Sequence, residues 1–192
     1  MIRCALGLPE AMRREAAALY WQAFGGKLGR VLGPEPLALA FVERVMRADH
    51  CIIAVGPGGL VGLAGFKTPA GSFAGGTPAD LRAVYGAWGG AWRSGVMQLL
   101  GGDGDQTRFL LDGLCVRPDQ RGQGIGTALL AAICDEGRAR GYGAVRLDVV
   151  DTNARARALY ERRGFALERS TPIGPLRYVF GFREAHTMVR NL

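Results

Sequence analysis

Twelve residues near the middle of the chain, Val116-Arg117-Pro118-Asp119-Gln120-Arg121-Gly122-Gln123-Gly124-Ile125-Gly126-Thr127, place alternate glycines at the start of an apolar, helix-periodic segment. Where a strand runs through such a turn into a helix, the first helical N–H groups have no intrahelical partner and sit at the positive end of the dipole. A phosphate or pyrophosphate placed there gains several charge-assisted hydrogen bonds. Glycine at 122, 124 and 126 removes the Cβ atoms that would block its approach. The spacing is G-x-G-x-G, so it is not the dinucleotide fingerprint G-x-G-x-x-G, and no Lys-Ser/Thr follows as a Walker loop requires. Nicotinamide and ATP are therefore disfavoured as ligands.

A second pair with chemical potential is Asn153 and Tyr160. They are seven residues apart, two helical turns, which puts both side chains on one helix face about 10 Å apart along the axis. One elongated ligand can touch both. Asn153 also suits an N-cap, and Tyr160 also suits a core aromatic, although a tyrosine in an apolar face needs a use for its hydroxyl.

These residues need a frame. Residues 2–6 suggest a short strand, and Pro9 and Glu10 open a helical pattern of Met12, Ala16, Leu19, Tyr20, Ala23 and Phe24 that Gly25 and Gly26 are expected to end. Leu37 to Ala48 reads as a second amphipathic helix. Residues 51–55 and 60–66 flank Gly56-Pro57-Gly58-Gly59 as an antiparallel hairpin. From Thr68 to Thr107 the pattern weakens into a Gly-rich loop and two short helices, 78–92 and 96–100. Strand 108–116, helix 124–140, strand 144–150, a helix capped at Thr152 or Asn153 and ended before Gly164, and strand 165–169 follow, with 178–190 closing the sheet.

In that frame the glycine turn resembles the coenzyme A pyrophosphate loop of the GNAT superfamily of N-acetyltransferases, Gln/Arg-x-x-Gly-x-Gly/Ala, present as Arg121, Gly124 and Gly126. The likeness continues upstream through Leu114-Cys115-Val116-Arg117-Pro118 and downstream through Asn153-Ala154-Arg155-Ala156-Arg157-Ala158-Leu159-Tyr160-Glu161-Arg162-Arg163-Gly164-Phe165. The resemblance implies a single α/β domain over residues 1–192, with a mixed, mainly antiparallel sheet splayed at the coenzyme and flanked by four principal helices. A helical insertion is expected at 68–107.

It further implies acetyl-CoA as cosubstrate, held by Leu114, Cys115, Val116, Arg121, Gly122, Gln123, Gly124, Ile125, Gly126, Thr127 and Asn153, and an amine acceptor that attacks the thioester directly. Three tasks then need residues. A backbone N–H near Cys115 or Val116, left unpaired by a bulge, would stabilise the oxyanion. Tyr160 would donate to the departing thiolate, and Asp148 or Asp112 would take the proton of the attacking ammonium, unless water chains do so. Strand alternation gives Asp112 the face of Leu114 and Val116, and Asp148 the face of Arg146 and Val150. An alternative function is a non-catalytic coenzyme A-binding sensor or scaffold. Trp21, Phe24, Trp88 and Trp92 are candidates for the acceptor pocket, and Tyr85, Trp88, Trp92 and Arg93 for that pocket, for a homodimer contact or for plain packing.

Composition limits the other classes. In 192 residues the net charge is +7, carried almost wholly by arginine, since Lys27 and Lys67 are the only lysines. The arginines are dispersed, with no basic run longer than two, so biased residue usage explains the charge and no nucleic-acid partner is expected. The longest uncharged stretch, 51–66, is broken by Pro57 and glycines, so no membrane span is expected, and the weak apolar patch at 4–8 is too short for a secretory leader. A cytoplasmic location is the expectation. Cys4, Cys51, Cys115 and Cys134 are widely spaced, without CxxC, and suggest free thiols with no metal site. Asp103 and Asp105 read as a turn rather than a calcium loop.

Overall fold

The computed structural model describes residues 2–100 and 107–192, so Asp103 and Asp105 lie outside the described residues. In chain order the elements are β1 (Arg3–Leu6), α1 (Arg13–Leu32), α2 (Glu35–Val45), β2 (Cys51–Gly56), β3 (Gly59–Thr68), β4 (Gly71–Ser72), α3 (Pro78–Leu100), β5 (Phe109–Val116), α4 (Ile125–Ala139), β6 (Ala144–Val150), α5 (Ala154–Arg162), β7 (Ala166–Pro172), α6 (Arg177–Phe180) and β8 (Glu184–Asn191). The strands form one sheet in the order β1-β2-β3-β5-β6-β8-β7, with β4 paired to β3. Every pairing is antiparallel except β5 with β6. The C-terminal strand does not cap an edge; it inserts between β6 and β7.

The sheet is two antiparallel halves joined by a short parallel seam. β5 and β6 share only Phe109↔Val145, Leu110↔Arg146 and Leu111↔Leu147, after which they part. The cause lies in how β5 pairs with β3. Opposite β3 the register jumps between Gly65 and Phe66, so that Gly113 faces Gly65, Leu111 faces Phe66 and Asp112 has no opposite residue. Such a bulge bends its strand and resets the side-chain alternation.

The reset is visible in the two cores. Before the bulge, Phe109 and Leu111 pack into the cluster beneath α4, together with Leu129, Leu130, Ile133, Val145, Leu147 and Met188. After it, Cys115 joins the cluster beneath α1 and α2, with Tyr20, Phe41, Leu60, Leu63 and Phe73. Leu114 and Val116 now face the α4 side. Asp112 instead lies on the α1 side, where its charge adds to burial, the larger effect, in disfavouring ionisation of the Tyr20 phenol. The expected common face for Asp112, Leu114 and Val116 is thus overturned by the bulge, which itself sits upstream of the expected Cys115 or Val116.

α1 also departs from expectation, running on through Gly25, Gly26 and Gly29 to Leu32. Interior glycines each cost roughly 1 kcal/mol of helix stability, so something must offset them. Part of the offset is burial of Val31 and Leu32. The rest comes from α3, whose side chains take the last α1 carbonyls. Arg93 donates from Nε to the Val31 carbonyl at 2.7 Å and from Nη2 to that of Gly33 at 2.8 Å. Tyr85 donates its hydroxyl to the Leu32 carbonyl between them. The Arg93 guanidinium is fixed over the Tyr85 ring at 4.0 Å from its centroid.

α3 breaks at Gly86, where φ is 74° and ψ is 176°, rather than between 92 and 96. The chain then folds back so closely that a Cβ on Gly90 would lie 2.6 Å from the Arg82 backbone nitrogen. This fold-back turns Trp88 out to 90% exposure and Trp92 to 48%, so neither packs in a core.

Replacing Arg93 by alanine removes charged hydrogen bonds to two helix-terminal carbonyls, with an expected loss of about 2 kcal/mol. Arg93→Lys should recover less than half of it, because an ammonium cannot span both carbonyls as the fork does. Urea unfolding midpoints measure both, and an unchanged midpoint for the alanine variant would contradict the bracing role of α3.

Candidate functional site

The glycine turn behaves as its spacing suggests. Gly122 and Gly124 have φ of 83° and 80°, a left-handed backbone that side chains disfavour. Gly124 is the N-cap of α4 and offers no side chain to its amides. The first amide taken up inside the helix is that of Ala128, on the Gly124 carbonyl at 3.0 Å, which leaves those of Ile125, Gly126 and Thr127 without an intrahelical acceptor. α5 starts differently, since Asn153 Oδ1 accepts from the Ala156 N–H at 3.2 Å. One helix entrance is closed by its own cap and the other is open to an anion.

The preceding loop is stapled by charge. Arg117 Nη2 donates to Asp119 Oδ2 at 2.6 Å, and this guanidinium, with Gln120 second, holds the Asp119 carboxyl down to about 2. Glycine at 126 has a packing reason of its own, because a Cβ there would lie 3.3 Å from Leu159 Cδ2, against α5.

β5 supplies a second set of amides. The Arg117 N–H donates to the Val61 carbonyl at 2.9 Å, and antiparallel alternation then turns the Cys115 and Gly113 amides toward β3. Those of Val116 and Leu114 point the other way, into the gap left by β6. Arg121 Nε reaches the Val116 carbonyl at 3.2 Å, fixing the loop to the strand.

The gap opens into a cleft of about 520 Å³. Ten of the eleven residues expected to hold the ligand line it: Leu114, Cys115, Val116, Arg121, Gly122, Gly124, Ile125, Gly126, Thr127 and Asn153. Gln123 is the exception and points to solvent. Two kinds of residue were missed. Arg155 and Arg162 add positive charge to the wall, and their i,i+7 spacing, the same as that of Asn153 and Tyr160, was legible in the sequence. Gln22 and Ala23 come from the part of α1 that reaches the gap, beside Phe24, which was already a candidate for the acceptor pocket. Trp21 lines a second groove of about 760 Å³ between α1 and the start of α2, reaching Leu60 and Arg117. Trp88, Trp92, Tyr85 and Arg93 line neither.

Tyr160 stands apart from the expected shared face. Asn153, Ala156 and Leu159 line the cleft, whereas Tyr160 is 8% exposed and packs with Phe165, ring centroids 6.0 Å apart. It belongs to the apolar cluster that Leu114, Val116 and Ala156 border, one layer behind the lining. Burial pushes its phenol up to about 12, so it stays protonated across the neutral range.

Asp112 and Asp148 are the first residues beyond the seam on their strands. Neither lines the cleft. Asp148 is committed to an internal network: Arg146 Nη2 donates to its Oδ2 at 3.1 Å and the Thr187 hydroxyl to its Oδ1 at 2.6 Å. Asp112 accepts from the Ser72 hydroxyl at 2.6 Å. Cys115 is buried, and desolvation pushes its thiol up to about 12, which removes it as a nucleophile. Among the described residues no group of His, Cys, Asp and Glu is placed to hold a metal ion, and no helix is long and apolar enough to cross a membrane.

Comparison with known proteins identifies the family. Mycothiol acetyltransferase of Beutenbergia cavernae is 52% identical over 52 residues, 27% of this chain and 18% of that protein. Streptothricin acetyltransferase of Streptomyces lavendulae is 41% identical over 59 residues, 31% of each. The chain thus matches less than a third of the length of either. An N-acetyltransferase from Staphylococcus aureus Mu50 shares the fold, with a TM-score of 0.67 at 15% identity over 99% of this chain and 100% of that one. The model of the acetyltransferase (GNAT) family matches residues 15–165, which span the open helix entrance, the parted strands and the capped helix alike, and the chain therefore belongs to that family.

Proposed function

We propose that the protein transfers the acetyl group of acetyl-CoA to a primary amine of a small molecule, peptide or protein, by direct attack within a ternary complex. The observation that carries this reading is the continuity of one cleft from the uncapped entrance of α4 to the outward-facing amides of Val116 and Leu114. A diphosphate at Ile125–Thr127, with Arg121, Arg155 and Arg162 around it, leaves the rest of an extended carrier to run beside β5 toward the seam. The names of both curated relatives support acetyl transfer, and they differ in the molecule they mention.

In the reaction the amine nitrogen bonds to the thioester carbon, the C–S bond breaks, and the nitrogen sheds a proton. The Leu114 amide, unclaimed by β3, suits the developing oxyanion. Asp112 suits the proton of the incoming ammonium better than Asp148, which is already paired with Arg146 and Thr187. Tyr160 supplies the proton or hydrogen bond for the departing sulfur. Its place behind the lining is the one observation that favours the second reading, a coenzyme A-binding module without turnover.

Thiol release from acetyl-CoA across a panel of amines separates the two, and saturable binding without turnover on any amine would establish the binder. Tyr160→Phe should lower kcat about tenfold or more with little change in the KM for acetyl-CoA; an unchanged kcat removes the phenol from the mechanism. Because that phenol titrates near 12, no alkaline loss of rate below pH 10 should depend on it, so the alkaline limbs of wild type and Tyr160→Phe should coincide there.

Gly124→Leu puts a side chain on a left-handed residue at the helix entrance, and the Kd for coenzyme A should rise by at least about tenfold. Unaltered binding would place the diphosphate elsewhere. Asp112→Asn should depress kcat/KM about tenfold or more, and Asp148→Asn should act first on the unfolding midpoint. The reverse ranking would transfer the base to Asp148.

A further inference from the structure

The reading above leaves the length of the donated acyl group unassigned, and one side chain at the inner end of the cleft bears on it. Phe24 lines the cleft beside Leu114, Cys115 and Val116. Its ring lies on the backbone of β5: a Cβ at Gly113 would fall 3.0 Å from Phe24 Cζ and 3.5 Å from Tyr20 Cε2. A side chain at 113 would press on the ring, which would have to give by a few tenths of an ångström.

The ring is also held from behind. It packs tilted against Tyr20 with centroids 4.5 Å apart, and Tyr20 is itself buried and set edge-on to the fully buried Phe73 at 5.8 Å. Moving Phe24 away from the strand would therefore disturb an aromatic row anchored in the core, which costs more than rotating an isolated surface ring. Gly113 lies between the bulged Asp112 and Leu114, whose amide faces the gap. A carrier gripped at α4 and running along β5 past Val116 and Leu114 meets this ring where its acyl chain would continue.

From this geometry we infer that Phe24 is the acyl-length stop of the cleft, admitting an acetyl group and excluding longer linear acyl chains. It determines specificity by volume, with Gly113 and Tyr20 as the positioning residues that hold it in place. The inference rests on the coenzyme A reading of the cleft.

The test is calorimetric titration of coenzyme A, acetyl-CoA and hexanoyl-CoA into the wild-type protein and the Phe24→Ala and Phe24→Leu variants. A binding readout needs no knowledge of the acceptor. For the wild type, hexanoyl-CoA should bind about a hundredfold more weakly than acetyl-CoA. Phe24→Ala should narrow that ratio by at least about tenfold, with Phe24→Leu intermediate, because each shortens the wall by a known volume. Should the alanine variant unfold, the leucine variant decides the matter by the same ratio. A wild-type ratio near one, or a ratio that neither variant moves, overturns the stop while leaving the cleft assignment intact. Failure of coenzyme A itself to bind the wild type would overturn the cleft assignment and the stop together.

Discussion

The structure turns on the parting of β5 from β6 after Leu111 and Leu147. A strand in the middle of a sheet ordinarily spends its backbone groups on both neighbours, and groups left over inside a protein must find another partner. Here the bulge at Asp112 bends β5, and the amides of Leu114 and Val116 are turned toward a gap instead of a strand. The gap is walled by residues of α1, such as Phe24, and of α4 and α5, such as Thr127 and Leu159. What would be a defect in an ordinary sheet becomes a slot that an extended, hydrogen-bonding molecule can occupy.

Much of the frame was legible in the sequence because its signals were local. The hairpin glycines at 56–59, the glycine turn at 122–126, the Asn153 cap and the stop at Gly164 each act through a few neighbouring residues, and each element they delimit is present within about two residues. What could not be read depended on distant partners. α1 continues through Gly25 and Gly26 because Arg93 and Tyr85, some sixty residues on, take its final carbonyls. The bulge at Asp112 has no signature in β5 alone; it arises from register against β3, and it reverses which residues face which core.

The candidate site was legible to a similar depth. Loop and strand residues follow from an ordered motif, and almost all of them border the cleft. Side-chain direction was harder. Two helical turns separate Asn153 from Tyr160, yet the helix presents Ala156 and Leu159 to the opening and rotates the phenol toward Phe165. Periodicity gives an angle between two side chains, and the packing of the whole helix decides where that angle points. The charges around the helix entrance were likewise spread among arginines whose role only their convergence reveals.

The seam between the halves has a mechanical meaning as well. Three residue pairs of parallel ladder tie β1-β2-β3-β5 to β6-β8-β7, each with its own antiparallel hydrogen bonding, while α4 packs across both. With a ladder so short, the core beneath α4, which holds Phe66 and Ala64 of one half against Val145, Leu147 and Met188 of the other, is what keeps the halves together beside the slot. Aromatic rings at 66 and 109, 4.9 Å apart, belong to that shared core beside the seam.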